Sequence, residues 1–214
     1  MTPLLVLRPE PGNSATAERA HSLGLHAIQR PLFKIEPVAW TAPDVDAFDY
    51  LLLTSANALR LGGAQLEHLK ALTALAVGPA TAGAAQEAGF RVECVGEGGV
   101  DELLGGLPAG QRLLHLTGVD HHRPGGGHSV VPLIAYRTVP LSPEIPDGPL
   151  VALIHSARAG TEFARLVLDR SSVTVAALSA AAAAACGTGW RGCQYAEKPD
   201  DAALLALAAR LCQD

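Results

Sequence analysis

The chain has 214 residues, 49% of them hydrophobic and 17% charged, with a formal charge of -5, enough to bury a sizeable core in one large or two small domains. Its 13 Arg and 3 Lys are scattered, so the sequence lacks the basic stripe that a nucleic-acid partner requires. The longest near-apolar run, Val173 to Cys186, is broken by Thr174 and Ser179 and falls short of the roughly 18 residues of a membrane span.

At the start of the chain Leu4-Leu5-Val6-Leu7 leads straight into Arg8-Pro9, too short and without the basic flank of a signal peptide. Cys94, Cys186, Cys193 and Cys212 form no C-x-x-C pair, which reads as reduced, structural thiols. A cytoplasmic protein with no membrane partner is expected. The excess of Arg over Lys suits a small acidic ligand, because a guanidinium grips a carboxylate with two parallel hydrogen bonds.

In chain order, Leu4 to Arg8 reads as a strand, followed by a polar helix ending near Gly24. Ala27 to Val38, with Pro31 and Pro37, reads as an extended connector. Leu51 to Leu53 is a buried strand running into Thr54-Ser55-Ala56-Asn57, and Leu75 to Val77 runs into Gly78-Pro79-Ala80-Thr81 and a helix over 80–88. Leu113 to Thr117 echoes the first strand weakly. Val130 to Pro140, with Pro132 and Pro140, is a second extended connector. Val151 to His155 and Val173 to Leu178 are strands, and 180–186 and 201–212 are Ala/Leu-rich helices.

This order hides a duplication. Leu51 to Ala58 resembles Ala152 to Ala159 at an offset of 101 residues; Leu75 to Ala82 matches Val175 to Ala182, and Ala88-Gly89-Phe90-Arg91 matches Thr188-Gly189-Trp190-Arg191, both at an offset of 100. A near-constant offset across three segments argues for two copies of one α/β unit. Apolar strands alternating with Ala/Leu helices imply parallel sheets covered on both faces. If the two connectors pair, the N-terminal unit is completed by the C-terminal one. The first domain is then 1–36 plus 141–214 and the second 37–140, including the return linker, with a hinge and a cleft between the lobes.

In open parallel sheets ligands sit beyond the C-terminal strand ends, where helix N-termini face an anion. Four turns qualify, at Arg8-Pro9, Thr54 to Asn57, Gly78 to Thr81 and His155 to Arg158. The plain alternative is that Ser55, Thr81 and Ser156 only cap helices. Neither a G-x-G-x-x-G nor a P-loop motif follows any strand, and no G-x-S-x-G motif occurs. Asp120-His121-His122 with Arg123 and His128 raises a metal site, but no second ligand cluster supports it, and a Gly-rich turn with solvated histidines explains the segment. Tyr136 lies in the second connector, as either a weak acid beside the cleft or a half-buried strand aromatic.

Leu-Arg-Pro-Glu-Pro at 7–11, Pro-Leu-Phe-Lys-Ile-Glu-Pro at 31–37, Leu-Leu-Leu-Thr-Ser-Ala-Asn-Ala-Leu at 51–59, Ala-Val-Gly-Pro-Ala-Thr-Ala at 76–82, Ala-Tyr-Arg-Thr at 135–138 and Ile-His-Ser-Ala-Arg-Ala at 154–159 follow one another in order. This ordered set, spanning nearly the whole chain, resembles the uroporphyrinogen-III synthases. The resemblance implies two flavodoxin-like parallel-sheet domains joined by a two-stranded β linker, and a monomeric enzyme that needs no metal, nucleotide or flavin. It implies a substrate, hydroxymethylbilane, which loses its hydroxyl as water, passes through a spirocyclic intermediate and closes to uroporphyrinogen III with the last ring inverted.

The task is to fold a polycarboxylate so that its ends meet and to stabilise developing cationic character, which is work for positioning and preorganised electrostatics. Tyr136 matches the family tyrosine that assists departure of the hydroxyl. Arg8, Ser55, Asn57, Thr81, Arg137, Ser156, Arg158 and Ser179 are the expected substrate-binding residues, with Lys34 a further nearby cation. The chain departs from its relatives twice: Leu178-Ser179-Ala180-Ala181-Ala182 replaces a Gly-Pro-x-Thr-like turn, and the short Gly-rich stretch from Gly118 to Val130 stands where a helix is usual. The competing reading is a non-catalytic two-lobed module that binds a carboxylated tetrapyrrole or another small acid. A metal-dependent protein using His121, His122 and His128 is the third.

Overall fold

The structure is a computed structural model that describes residues 1–96, 99–121 and 123–213. In chain order, β1 (Leu4–Val6), α1 (Gly12–Ser22), β2 (Ala27–Gln29) and β3 (Phe33–Pro37) come first. They are followed by β4 (Tyr50–Leu53), α2 (Ala56–Leu61), α3 (Leu66–Leu69), β5 (Thr73–Val77), α4 (Pro79–Glu87), β6 (Val92–Gly96) and α5 (Val100–Gly105). Then come β7 (Arg112–Gly118), β8 (Ser129–Pro140), β9 (Leu150–Ile154), α6 (Ala157–Leu166), β10 (Val173–Ala177), α7 (Ala180–Ala185), β11 (Gly192–Tyr195) and α8 (Asp201–Leu211). The chain divides into two compact units, one of residues 1–34 and 139–214, the other of residues 35–138.

The first unit holds a parallel sheet in the order β2-β1-β9-β10-β11. β1 lies inside it because Leu4, Leu5 and Val6 are buried on both faces, the pattern a covered parallel strand demands. Leu5 is in register with Ile28 on one side and Ala152 on the other. Ala159 and Phe163 of α6 pack one face of the sheet, while Ala17 and Ala20 of α1 and Leu204, Leu205, Leu207 and Ala208 of α8 pack the other. Phe163 is fully buried and stacks on Trp190 at 5.3 Å; burying such a ring stabilises the fold by about 1.5–3 kcal/mol.

The second unit's sheet runs β3-β8-β7-β4-β5-β6. From β4 through β8 the pairs are parallel. β3 is antiparallel to β8, since the Val38 amide donates to the Ala135 carbonyl at 2.8 Å and the Leu141 amide to the Leu32 carbonyl at 2.7 Å. Without β3 the order β8-β7-β4-β5-β6 repeats β2-β1-β9-β10-β11, so the duplication read from sequence is carried into three dimensions, with the second copy entered at its third strand. The repeat reaches turn geometry: Gly89 and Gly189 take φ of +85° and +93°, the left-handed conformation that glycine enters without a Cβ penalty.

Both segments read as single connectors prove to be sheet strands. Ala27 to Val38 is split into β2, beside β1, and β3, beside β8. Val130 to Pro140 forms β8, which pairs with β7 over much of its length. Pro132 is accommodated because the β3 bonds fall at 135 and 141, leaving β8 an edge strand at 132, where a missing N–H costs nothing. Unlike β1, β4, β5, β6, β9, β10 and β11, each of which leads into a helix, β7 is followed by no helix among the described residues; the chain returns directly to β8.

α6 and α7 approach closely through Gly160. A Cβ there would lie 2.8 Å from the Ala182 carbonyl oxygen and 3.0 Å from Cys186 Sγ. Gly160→Ala is therefore expected to destabilise the first unit by about 1–3 kcal/mol through overpacking, read as a lower midpoint in urea unfolding. An unchanged midpoint would mean that the two helices separate freely.

Candidate functional site

In the first unit the candidate residues follow β1, β9 and β10. Ser156 caps α6, its Oγ accepting from the Ala159 amide at 3.2 Å, and Ser179 caps α7 by accepting from Ala182 at 3.3 Å. Ser156 therefore does cap a helix, Ser179 makes the same kind of bond, and each hydroxyl still has its proton to donate. Arg158, exposed in the first turn of α6, lies over the Phe33 ring at 5.0 Å. Lys34 is exposed on β3.

Arg8 is held in a polar knot around Asp201. Its guanidinium reaches Asp201 Oδ1 and Thr16 Oγ1, both at 3.2 Å. Arg19 binds Asp201 Oδ2 through Nη2 at 2.7 Å, Thr16 donates at 3.0 Å, and His155 Nε2 lies 2.9 Å from Oδ1. Burial alone would raise the Asp201 pKa; hydrogen bonds from His155, Arg19 and Thr16, with the charge of Arg19, outweigh it and hold the carboxyl below the usual carboxylate range. Sequence reading missed this knot, whose members lie as far as 193 residues apart.

A second polar cluster occupies the other unit. Ser55 caps α2 by accepting from the Asn57 amide at 3.2 Å, and Asn57 Oδ1 accepts from Arg60 at 3.4 Å. Thr81 is buried in the first turn of α4. The helix begins after Gly78, whose φ of +84° suits a residue without Cβ. Arg137 points away from Tyr136, as neighbours on a strand do, and binds Glu36 Oε2 through Nε and Nη2 at 3.1 and 2.8 Å.

Tyr136 lies over Gly118, where an added Cβ would meet the ring at 2.5 Å. A register shift between Thr117 and Gly118 sets that pairing. A cavity of about 240 Å³ brings Tyr136 together with Ser55, Thr54, His115, Thr117, Asp120 and His121. Of these, sequence reading had assigned only Tyr136 and Ser55 to substrate. His115 was legible in principle as the polar residue inside Leu113-Leu114-His115-Leu116. It is 1% exposed, with Nε2 2.9 Å from Thr54 Oγ1 and its ring edge-on to His121 at 5.8 Å. Burial, assisted by His121, pushes its pKa down to about 4.

No group of three potential ligands is arranged to hold a metal ion among the described residues. His121 Nδ1 is 3.0 Å from the Gly118 carbonyl and His128 Nε2 is 3.1 Å from the Leu104 carbonyl. His122 lies outside the described residues. A larger cavity of about 520 Å³ opens in the first unit beside the starts of β9 and β10, but its ionisable groups are Asp147 and Asp169, which repel an acidic ligand. No helix of the described residues is long and apolar enough to cross a membrane.

Two doubly wound parallel sheets of matching strand order, with polar residues gathered at the strand ends, define a tandem flavodoxin-like α/β protein. The model of the uroporphyrinogen-III synthase HemD family matches residues 14–206, and the chain belongs to that family of cyclising lyases. Its fold is shared with the uroporphyrinogen-III synthetase of Helicobacter pylori 26695, at 17% identity and a TM-score of 0.71, covering 99% of this chain and 100% of that one. A mutant uroporphyrinogen III synthase from the extremely thermophilic bacterium Thermus thermophilus is similar at 20% identity and a TM-score of 0.56, with 99% of each chain covered. No curated protein sequence matches the chain.

The buried His115 makes stability depend on pH. Unfolding returns its pKa from about 4 to the ordinary value near 6.5, so below pH 6.5 the unfolded chain binds the extra proton. This contribution to stability is full above pH 6.5 and is lost as pH falls towards 4. His115→Gln should flatten that part of the profile in denaturant titrations from about pH 7.5 to about 4.5; an unaltered slope would assign the acid sensitivity to other groups.

Proposed function

We propose that this synthase converts hydroxymethylbilane to uroporphyrinogen III at polar groups set on the strand ends of its sheets, with Tyr136 assisting departure of the hydroxyl. The observation that carries the assignment to Tyr136 is its packing over Gly118 at a recess shared with Ser55, Thr54, His115 and His121.

The reaction asks for a proton donor at the leaving hydroxyl and for fixed dipoles around the cation that remains. The phenol of Tyr136 supplies the donor, and the departing hydroxyl leaves as water. His115, neutral at about pH 7 because its pKa is held near 4, adds no positive charge to repel the azafulvene-like cation. The hydroxyls of Thr54 and Ser55 present fixed dipoles instead. Substrate carboxylates are held by the free hydroxyl protons of Ser55, Ser156 and Ser179, by Asn57 and Thr81, and by the first-turn amides of α4 and α6, where the helix dipole favours negative charge. Arg8, Arg137 and Arg158 supply the positive field; Arg8 and Arg137 do so from existing ion pairs with Asp201 and Glu36. The chain acts as a monomer in this reading, in the cytoplasm, on a small acidic substrate and without a nucleic-acid partner.

The test is an isomer assay with hydroxymethylbilane supplied by a coupled deaminase. The native protein should yield the type III isomer, and Tyr136→Phe should lower kcat by about a hundredfold with KM little changed, as loss of a proton donor does. An unchanged kcat would reduce Tyr136 to a packing role. Product consisting only of the type I isomer, which forms spontaneously, would overturn the assignment in favour of a carboxylate-binding module.

Gly118→Ala provides a second test, because its methyl group would push the ring from its seat while leaving the phenol intact. A fall in kcat of about tenfold or more is expected, since small misplacements of reacting groups are costly. Activity equal to the native protein's would show that the position of the ring is immaterial.

A further inference from the structure

We propose that the recess lined by His115, His121, Arg123 and His128 binds one carboxylate arm of the substrate. The inference rests on the synthase reading above. The recess has a volume of about 220 Å³ and adjoins the Tyr136 recess, with which it shares His115 and His121.

Its origin is topological. Most parallel strands here end in a turn and a helix, whose first amides offer an anion site. β7 ends instead in a connection that runs straight to β8, so this position has no helix N-terminus among the described residues. The connection supplies side chains in exchange, placing His121, Arg123 and His128 beside β7 and β8. Val130 and Pro132 of β8 complete the walls.

The chemistry of the lining favours a carboxylate. Arg123 carries a permanent positive charge and a fork of donors, and no acidic side chain among the described residues lines the recess. His121 Nδ1 faces the carbonyls of Gly118 and Val119 at 3.0 and 3.3 Å, which makes that nitrogen the donor and turns Nε2 to other partners. His115 has one nitrogen beside Thr54, while its buried Nδ1 meets no partner. An orphaned buried polar atom is costly. An anion that reached Nδ1 would satisfy both ring nitrogens, with Nε2 accepting from the Thr54 hydroxyl and Nδ1–H donating to the carboxylate. The volume equals several waters, at about 30 Å³ each, which is room for an acetate or propionate arm. An arm seated here would bring the attached ring to the neighbouring Tyr136.

Two measurements on the full chain test the assignment. Propionate titrated into the native protein should shift the imidazole Hε1 resonances of His115, His121 and His128 saturably in NMR spectra, and Arg123→Gln should abolish the shift. In turnover, Arg123→Gln should raise KM for hydroxymethylbilane roughly tenfold or more, the loss expected for a charged hydrogen bond, with kcat within about twofold. Histidine resonances indifferent to propionate, or an unchanged KM in a variant that still makes the type III isomer, would overturn the proposal. If the native protein makes only the type I isomer, the synthase reading falls, and saturable propionate shifts would keep the recess as an anion site in its own right.

Discussion

A parallel strand buried on both faces has one outlet for its chemistry, the turn at its C-terminal end. β1, β4, β7 and β9 are all of this kind, with Leu4, Leu52, Leu114 and Leu153 at 0–1% exposure. Sealing their flanks requires helices on both faces, and each helix brings an N-terminus to the strand ends. The Ser55, Ser156 and Ser179 caps are consequences of this covering: a helix has to begin there, and its first amides need acceptors. The exception after β7 obeys the same logic, since a strand end without a helix there has to be finished by side chains.

The two units solve one problem with different residues. Thr54 and His155 occupy equivalent places, each following an apolar strand and preceding a capping serine. Thr54 reaches across to His115 at 2.9 Å, whereas His155 meets Asp201 at 2.9 Å. One unit thus carries a neutral imidazole beside a hydroxyl, and the other an ionised carboxylate beside an imidazole and two guanidinium groups. Duplication preserved the scaffold while the polar contents diverged in charge.

Much of the α/β architecture was legible because buried parallel strands are uninterrupted apolar runs, as in Leu51 to Leu53 and Val151 to Ile154, and because Ala-rich helices stop at Gly. Ser55, Ser156 and Ser179 could be placed at helix starts for the same local reason. β2 and β3 could not be separated, since Pro31 and Pro37 give the whole stretch the look of a connector and only pairing partners far along the chain divide it. Polar partnerships were hidden most. Arg8 shows nothing of Asp201, and His115 shows nothing of Thr54, 61 residues away; among leucines it reads as part of the strand's core. Local pattern reports what a residue is, while long-range pairing decides what it is free to do.

The interrupted first unit has a consequence for synthesis on the ribosome. β1 is made before the whole of the second unit, yet its neighbour β9 begins only at Leu150 and the covering helix α8 only at Asp201. The second unit, by contrast, is a continuous stretch ending at residue 138. Domains fold as units while the chain emerges, so the order of assembly inverts the order of translation. β1 waits for β9 and α8 until the second unit has been made, and the unit begun second is finished first.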